Sequence, residues 1–373
     1  MSNDVVNYFL ELIAIDSESK DERAMADRVK ADLEALGATV EEDSSHLKTG
    51  GNAGNLHALI PGRIDKQPIL FCSHLDTVKP GKGIKPRREN GRIRSDGSTV
   101  LGGDDKSGVA EIMIGIKSVL ESGVDHAPIE VLFTVSEEIG LLGAKHFDKS
   151  KLRSAFGYAM DAHRVGDLVL GAPAQNSIRI TIQGKEAHAG VEPENGINAI
   201  RVASEAIAAM PLGRIDYETT CNMGIIRGGT ATNIVPNKVD ISGEARSHNK
   251  AKLEQVCADI RRAVDSAVKR HDYPFGAAAY TWDMNTEYNS FFIPDTEPVV
   301  QLAISALNSV GLEVKTSIGG GGSDANIINA AGLPMIICGT GMNKVHTVDE
   351  DIEEEELRRG AKFVAALITH YSR

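Results

Sequence analysis

Two imidazoles and three carboxylates (His74, Asp104, Glu138, Asp161 and His346) form the inventory of a site for two divalent cations that share one bridging carboxylate. Most of them follow an apolar, strand-like run. His74 closes Ile69–Ser73, Glu137 and Glu138 follow Ile129–Val135, and Asp161 closes Phe156–Met160. In an open α/β sheet, groups at the carboxyl ends of neighbouring strands converge on one crevice. The chemistry that such a set supports is hydrolysis by a metal-bound water.

The spacing suggests a division of labour. Asp104 and Asp105 follow paired glycines and lead into an apolar helix, where a helix-capping role is the bland alternative. A bridging carboxylate uses both oxygens, and an acid beside it is tolerated where positive charge offsets the repulsion. Asp104 is read as the bridge, and the Asp104–Asp105 peptide as a candidate for the cis form. His74 and Asp161 then fall to one cation, and Glu138 and His346 to the other. Two dications and three carboxylates leave one positive charge, which a bridging hydroxide neutralises. Mixed nitrogen and oxygen ligation suits zinc, with cobalt or manganese as substitutes.

Neighbouring residues at a strand end point in different directions. Glu138 is therefore read as the ligand, and Glu137 as the general base that takes the proton from the water and passes it to the leaving amine. Asp76 shares a face with His74 on an extended chain and can accept from the ring nitrogen turned away from the metal.

Other positions are less specific. His188 reads either as a turn histidine or as a donor to a developing oxyanion on closure. The glycine run before Ser323, including Gly320 and Gly321, lacks the Lys-Ser/Thr of a phosphate loop. Its backbone N–H groups suit a substrate carboxylate, with Arg246 as a side-chain partner. The acidic run Asp349–Glu356 reads as the solvated first turn of a closing helix.

The elements that must position these groups fall into two grammars. Up to about residue 175, and again from 286 to 373, helix and strand signals alternate. They include strands near Leu56–Ile60 and Ile69–Ser73 and a helix from Lys20, preceded by Ser19, to a stop at Gly37. This predicts an α/β catalytic domain, a mixed sheet flanked by helices. Residues 176–285 read β-α-β-β-α-β, a smaller ferredoxin-like α+β lid or dimerisation domain that interrupts the first.

Composition narrows the partners. The chain has 373 residues, 42% apolar and 25% charged, with a net charge of −12 and no evident basic stripe, which argues against nucleic acid or an anionic membrane. No apolar run approaches the ~20 residues that span a bilayer, and the first residues lack signal-peptide features. Four scattered cysteines read as reduced, buried thiols and suggest a cytoplasmic location.

Taken together, HLDT from His74, SDGSTVLGGDDKSGVAEI from Ser95, SEEIG from Ser136, YAMD from Tyr158, GGTATN from Gly228 and VHT from Val345 resemble the peptidase T family. These are di-zinc exopeptidases of the superfamily that includes carboxypeptidase G, aminoacylase and succinyl-diaminopimelate desuccinylase. The resemblance implies the same five ligands with Glu137 as base, and a homodimer formed through the lid domain. It also implies a His188 that reaches the partner's site, and substrate contacts from Asn233, Arg246 and the glycine loop with Gly320, Gly321 and Ser323. Removal of the N-terminal residue from tripeptides or other short peptides is the expected activity. A deacylase of N-acyl amino acids and a catalytically inactive binding protein are the alternatives.

Overall fold

Four apolar runs become the parallel centre of an eight-stranded sheet: Ile129–Thr134, Ile69–His74, Gly157–Ala162 and Met335–Gly339, adjacent in that order. Their residues are almost all buried, as expected of parallel strands covered on both faces. Leu56–Ile60 and Thr39–Glu42 extend one side in antiparallel fashion. On the other side Asp167–Val169 pairs antiparallel with Met335–Gly339 and parallel with Lys315–Ser317. All four cysteines are free and buried. This computed structural model describes residues 4–373.

The chain divides into two compact units. The larger runs up to Gly171 and resumes over Phe292–Gly319 and Ser323–Arg373, while the smaller comprises Ala172–Phe291 with Gly320–Gly322. The smaller unit thus starts before residue 176, ends after 285, and takes in three glycines that the sequence reading placed in the last catalytic segment. Its sheet is wholly antiparallel, in the order Gly213–Arg214, Thr219–Gly228, Lys238–Ser247, Ala174–Gln183, Ala279–Tyr288. Helices Ala199–Ala208 and Lys250–Lys269 bury Val202, Ala203, Ile260 and Val264 against Ile178, Ile180 and Ile241.

Three local expectations need correction. The first long helix begins at Arg23, not Lys20, because the Ser19 hydroxyl donates to Asp76 instead of capping it. The run after Asp349 is not a solvated turn. Glu350 and Asp351 are 1% exposed, and Glu354 and Glu356 are also buried. Asp351 and Glu354 face a basic hairpin, Arg87–Glu89 and Arg92–Arg94, which qualifies the reading that no basic stripe exists. Arg88 pairs with Glu354, and Arg92 with Asp351 and Glu353. That hairpin adds to the strand Asp351–Glu353, so cations and acids far apart in sequence offset each other.

Helix Gly103–Ser122 is buried along most of its length and packs on the closing helix Glu354–Tyr371. Close approach requires glycine here. A Cβ on Gly115 would lie 2.6 Å from Val364 Cβ, and one on Gly360 would lie 2.0 Å from the Glu111 carboxyl carbon. Glu111 is fully buried, with no hydrogen-bond partner for either oxygen among the described residues. Burial pushes its carboxyl well above the ordinary value, reinforced by the charges of Asp105 and Glu356.

The folded state therefore holds a proton that the unfolded chain releases above its ordinary pKa near 4.5. Stability from this group is complete below that value and falls as pH rises, by roughly 1.4 kcal/mol per pH unit per proton held. Glu111→Gln should remove that slope, so its advantage in urea unfolding over wild type should grow between pH 5 and 8. An advantage independent of pH would show that Glu111 is ionised in the fold.

Candidate active site

The carboxyl ends of the parallel strands deliver the chemistry. His74 ends one strand, the Ser136–Glu138 turn follows another, and Asp161 lies on a third. Asp161 occupies a β-bulge: Met160 pairs with Cys338 and Ala162 with Gly339, which leaves Asp161 as the extra residue. Bulges re-aim side chains in this way. Ser136 and His346 are non-glycine residues with φ of 54° and 63°, a conformation costing about 1–3 kcal/mol each. The Asp104–Asp105 peptide is cis.

The five side chains come together around Asp104. Its Oδ1 lies 3.1 Å from His74 Nε2, and its Oδ2 lies 3.2 Å from His346 Nε2. His74 Nε2 is 4.0 Å from Asp161, and His346 Nε2 is 2.9 Å from Glu138. Ligand atoms of His74, Asp104 and Glu138 lie within 4.8 Å of one another, as do those of His74, Asp105 and Asp161. Asp104 faces both imidazoles, and Asp105 does not share that position. The Asp105 carboxylate is engaged by the Ser73 hydroxyl and the Gly108 N–H.

Electrostatics show what this cluster would accept. Burial, with the charge of Asp104 added, pushes Asp161 up to about 8, against the pull of His74 and Ser323. Burial also raises Glu138, opposed by its hydrogen bond to His346. His346 is held up at about 10 by hydrogen bonds to Asp104 and Glu138. Burial is the largest influence against charge on both His74 and Asp104, yet the others together outweigh it: Asp104, Asp76 and Glu137 hold the ring well above its ordinary value, and His346 with His74 hold the Asp104 carboxyl below its own. Crowded carboxylates made costly by burial, facing nitrogens of two imidazoles, fit a pair of divalent cations.

Glu137 is 8% exposed. Burial raises its carboxyl well above the ordinary range; His74 opposes this, and the Asp161 and Asp324 charges add to it. Asp76 lies beside the ring nitrogen the sequence pointed to, and shares that contact with its own backbone. His74 Nδ1 faces the Asp76 backbone carbonyl at 3.0 Å, with the nearer carboxylate oxygen at 3.4 Å. That carboxylate also accepts the N–H of Glu137 at 2.9 Å and of Glu138 at 3.3 Å. It fixes the turn that separates the two glutamates.

Residues 70–370 match peptidase family M20/M25/M40. The chain is 43% identical over 361 residues to protein YqjE of Bacillus subtilis (strain 168), covering 96% of each. Among solved structures, aminopeptidase PepT from Bacillus cereus ATCC 10987 is 40% identical with a TM-score of 0.90. A tripeptidase from Staphylococcus aureus subsp. aureus Mu50 is 36% identical with a TM-score of 0.94. Both alignments cover 100% of this chain and 99% of the other.

The chain is an M20/M25/M40 family peptidase.

Within this peptidase T-like M20 enzyme, several supporting residues escaped the sequence reading. Buried Glu22 accepts both the N–H and the hydroxyl of Ser136, so two carboxylates, Glu22 and Asp76, hold the Glu137 turn. Thr134 donates to Asp324, a buried acid pushed up to about 6 by burial. Ser323, assigned to substrate, donates to Asp161 at 3.0 Å and begins the helix Asp324–Ala330 in a capping box. In the smaller unit of this M20 peptidase, His188 is exposed and its Nδ1 accepts the Gly190 N–H. The exposed Asn233 offers its backbone carbonyl to the Ala189 N–H. Arg246 is forked onto Glu244 at 2.8 and 3.1 Å, so an incoming carboxylate would share it. Gly320 and Gly321 have open space where a Cβ would stand.

Proposed function

We propose that this peptidase is a metal-dependent aminopeptidase that removes the N-terminal residue of short peptides, tripeptides among them. One observation carries the reading: Asp104 offers one oxygen toward His74 and the other toward His346, beside the buried Glu137. His74 and Asp161 would hold one divalent cation, Glu138 and His346 the other, and Asp104 both. Zinc suits these donors. When bound, the ions supply Lewis acidity that polarises the scissile carbonyl and favours deprotonation of water.

This chain's residues do the rest. The Asp76 carbonyl accepts a hydrogen bond from Nδ1–H of His74, which leaves the Nε2 lone pair for a cation. Glu137 accepts a proton from the attacking water and delivers it to the leaving amine. Similarity to a tripeptidase and an aminopeptidase supports the substrate class. The test is a parallel assay of zinc-loaded enzyme on tripeptides, dipeptides and N-acyl amino acids. Tripeptide cleavage with release of the N-terminal residue is expected; cleavage of only the acylated amino acids would replace this reading with a deacylase.

The same proposal includes a homodimer through the smaller unit, whose His188 donates to the oxyanion in its partner's site. Support comes from strand Thr219–Gly228. Beyond Cys221 it has a neighbour on one side only among the described residues, and Ile225 and Ile226 are 51% and 52% exposed there. His188→Ala should lower turnover and leave metal content unchanged. Mixed with Glu137→Gln after subunit exchange, it should regain about a quarter of wild-type activity, since half the dimers would hold one intact site. No regain on mixing would place His188 in its own subunit's chemistry or outside it. The free, buried thiols support a cytoplasmic location.

A further inference from the structure

The loop that carries Asp104 and the segment that follows His346 are joined by one side chain. Glu350 is 1% exposed. Its Oε2 accepts the backbone N–H of Leu101 at 2.7 Å and of Gly102 at 2.8 Å. Its Oε1 accepts the N–H of Asp104 at 3.0 Å. These donors lie at the entry to helix Gly103–Ser122, where backbone N–H groups have no acceptor within the helix. Leaving them bare in a buried loop would be costly.

The geometry has a consequence for the site. Asp104 must turn one oxygen to His74 and the other to His346, so a small rotation of its backbone would misplace both contacts. The acid that holds that backbone follows His346 closely in sequence and takes hydrogen bonds on both of its oxygens. We infer that Glu350 is a positioning residue that sets the Asp104 carboxylate and the His346 ring in one frame, and thereby governs how tightly the cation pair is held. It acts through Asp104 and His346, and the inference rests on reading the five side chains as a two-cation site.

Glutamine at this position keeps one acceptor oxygen and turns an NH₂ toward the remaining N–H donors, so it cannot serve all three. Metal-free wild type, Glu350→Gln and Glu356→Gln should be titrated with cobalt by calorimetry and by visible absorption, at a temperature where circular dichroism shows each folded. Glu356 is the control, a buried acid of the same segment whose carboxylate accepts the Val165 N–H at 2.9 Å. Wild type should take up two ions per chain. Glu350→Gln should bind about 10- to 100-fold more weakly with altered absorption bands, the range seen when an outer partner of a ligand is lost. Glu356→Gln should bind as wild type does.

Unchanged affinity and bands in Glu350→Gln, even with a lower unfolding midpoint, would reduce Glu350 to a brace of the fold and overturn the inference. If that variant does not fold, Glu350→Asp gives the same comparison, since it keeps both oxygens on a shorter stem. Weaker cobalt binding then supports the inference, and wild-type binding overturns it. A wild-type chain that binds no pair of ions removes the two-cation reading and this inference together. Normal wild-type uptake with unchanged Glu350→Gln removes the inference alone.

Discussion

Glu137→Gln should fold, bind two metal ions per chain, and lose about 10³-fold in kcat on a tripeptide, within the 10²–10⁴ range of general acid–base catalysis. The substitution is nearly isosteric and uncharged. Burial already pushes this carboxyl toward its neutral form, so an amide costs the fold little. The N–H groups of Glu137 and Glu138 stay on the Asp76 carboxylate, so the turn and the neighbouring ligand keep their places. What disappears is the ability to carry a proton from water to the departing nitrogen. Metal analysis beside steady-state kinetics separates the outcomes. Full turnover would mean that another group is the base, and loss of an ion would mean that Glu137 is a ligand.

The central strands were legible because burial on both faces writes an unbroken apolar run, as in Ile129–Thr134 and Ile69–Cys72, with a polar residue where the strand ends. The clustering of His74, Glu138 and Asp161 was legible because those ends carry His and acids. The two helices of the smaller unit were legible from helical periodicity, and its strand Ala174–Gln183 from alternation. Short strands such as Thr39–Glu42 and Arg87–Glu89 hold too few residues for a period to register.

The supporting acids were illegible for a different reason. Glu350 and its three backbone donors are 246 to 249 residues apart, and Arg88 and Glu354 are 266 apart. Local pattern carries no information about such partners, so an acidic run reads as solvated although Glu350, Asp351, Glu354 and Glu356 are buried against arginines and backbone N–H groups. Asp76 shows the subtler case. The i, i+2 rule rightly placed it beside His74, yet its carboxylate bonds mainly to the next loop, because that loop brings two unsatisfied N–H groups into reach. Proximity followed from strand geometry; function followed from which donors lacked an acceptor.

Asp104→Asn should do more damage than the loss of any supporting residue. Both Asp104 oxygens are committed, one at 3.1 Å from His74 and the other at 3.2 Å from His346. An amide retains a single acceptor and no charge, so one half of the site keeps a weak donor and the other faces an NH₂. The cation pair would also lose one of the three negative charges that offset it, in a place where burial makes imbalance expensive. Losing an outer partner of a ligand typically costs 10–100-fold in metal affinity, and losing the shared ligand should therefore exceed about 100-fold. Zinc titration of the metal-free variant should find fewer than two ions per chain, with peptide hydrolysis below detection. Cobalt or manganese added in excess should not restore it, because the defect lies in the donor set and not in the choice of ion. Two tightly held ions in Asp104→Asn would instead pass the bridge to Asp105, the other acid grouped with His74 and Asp161.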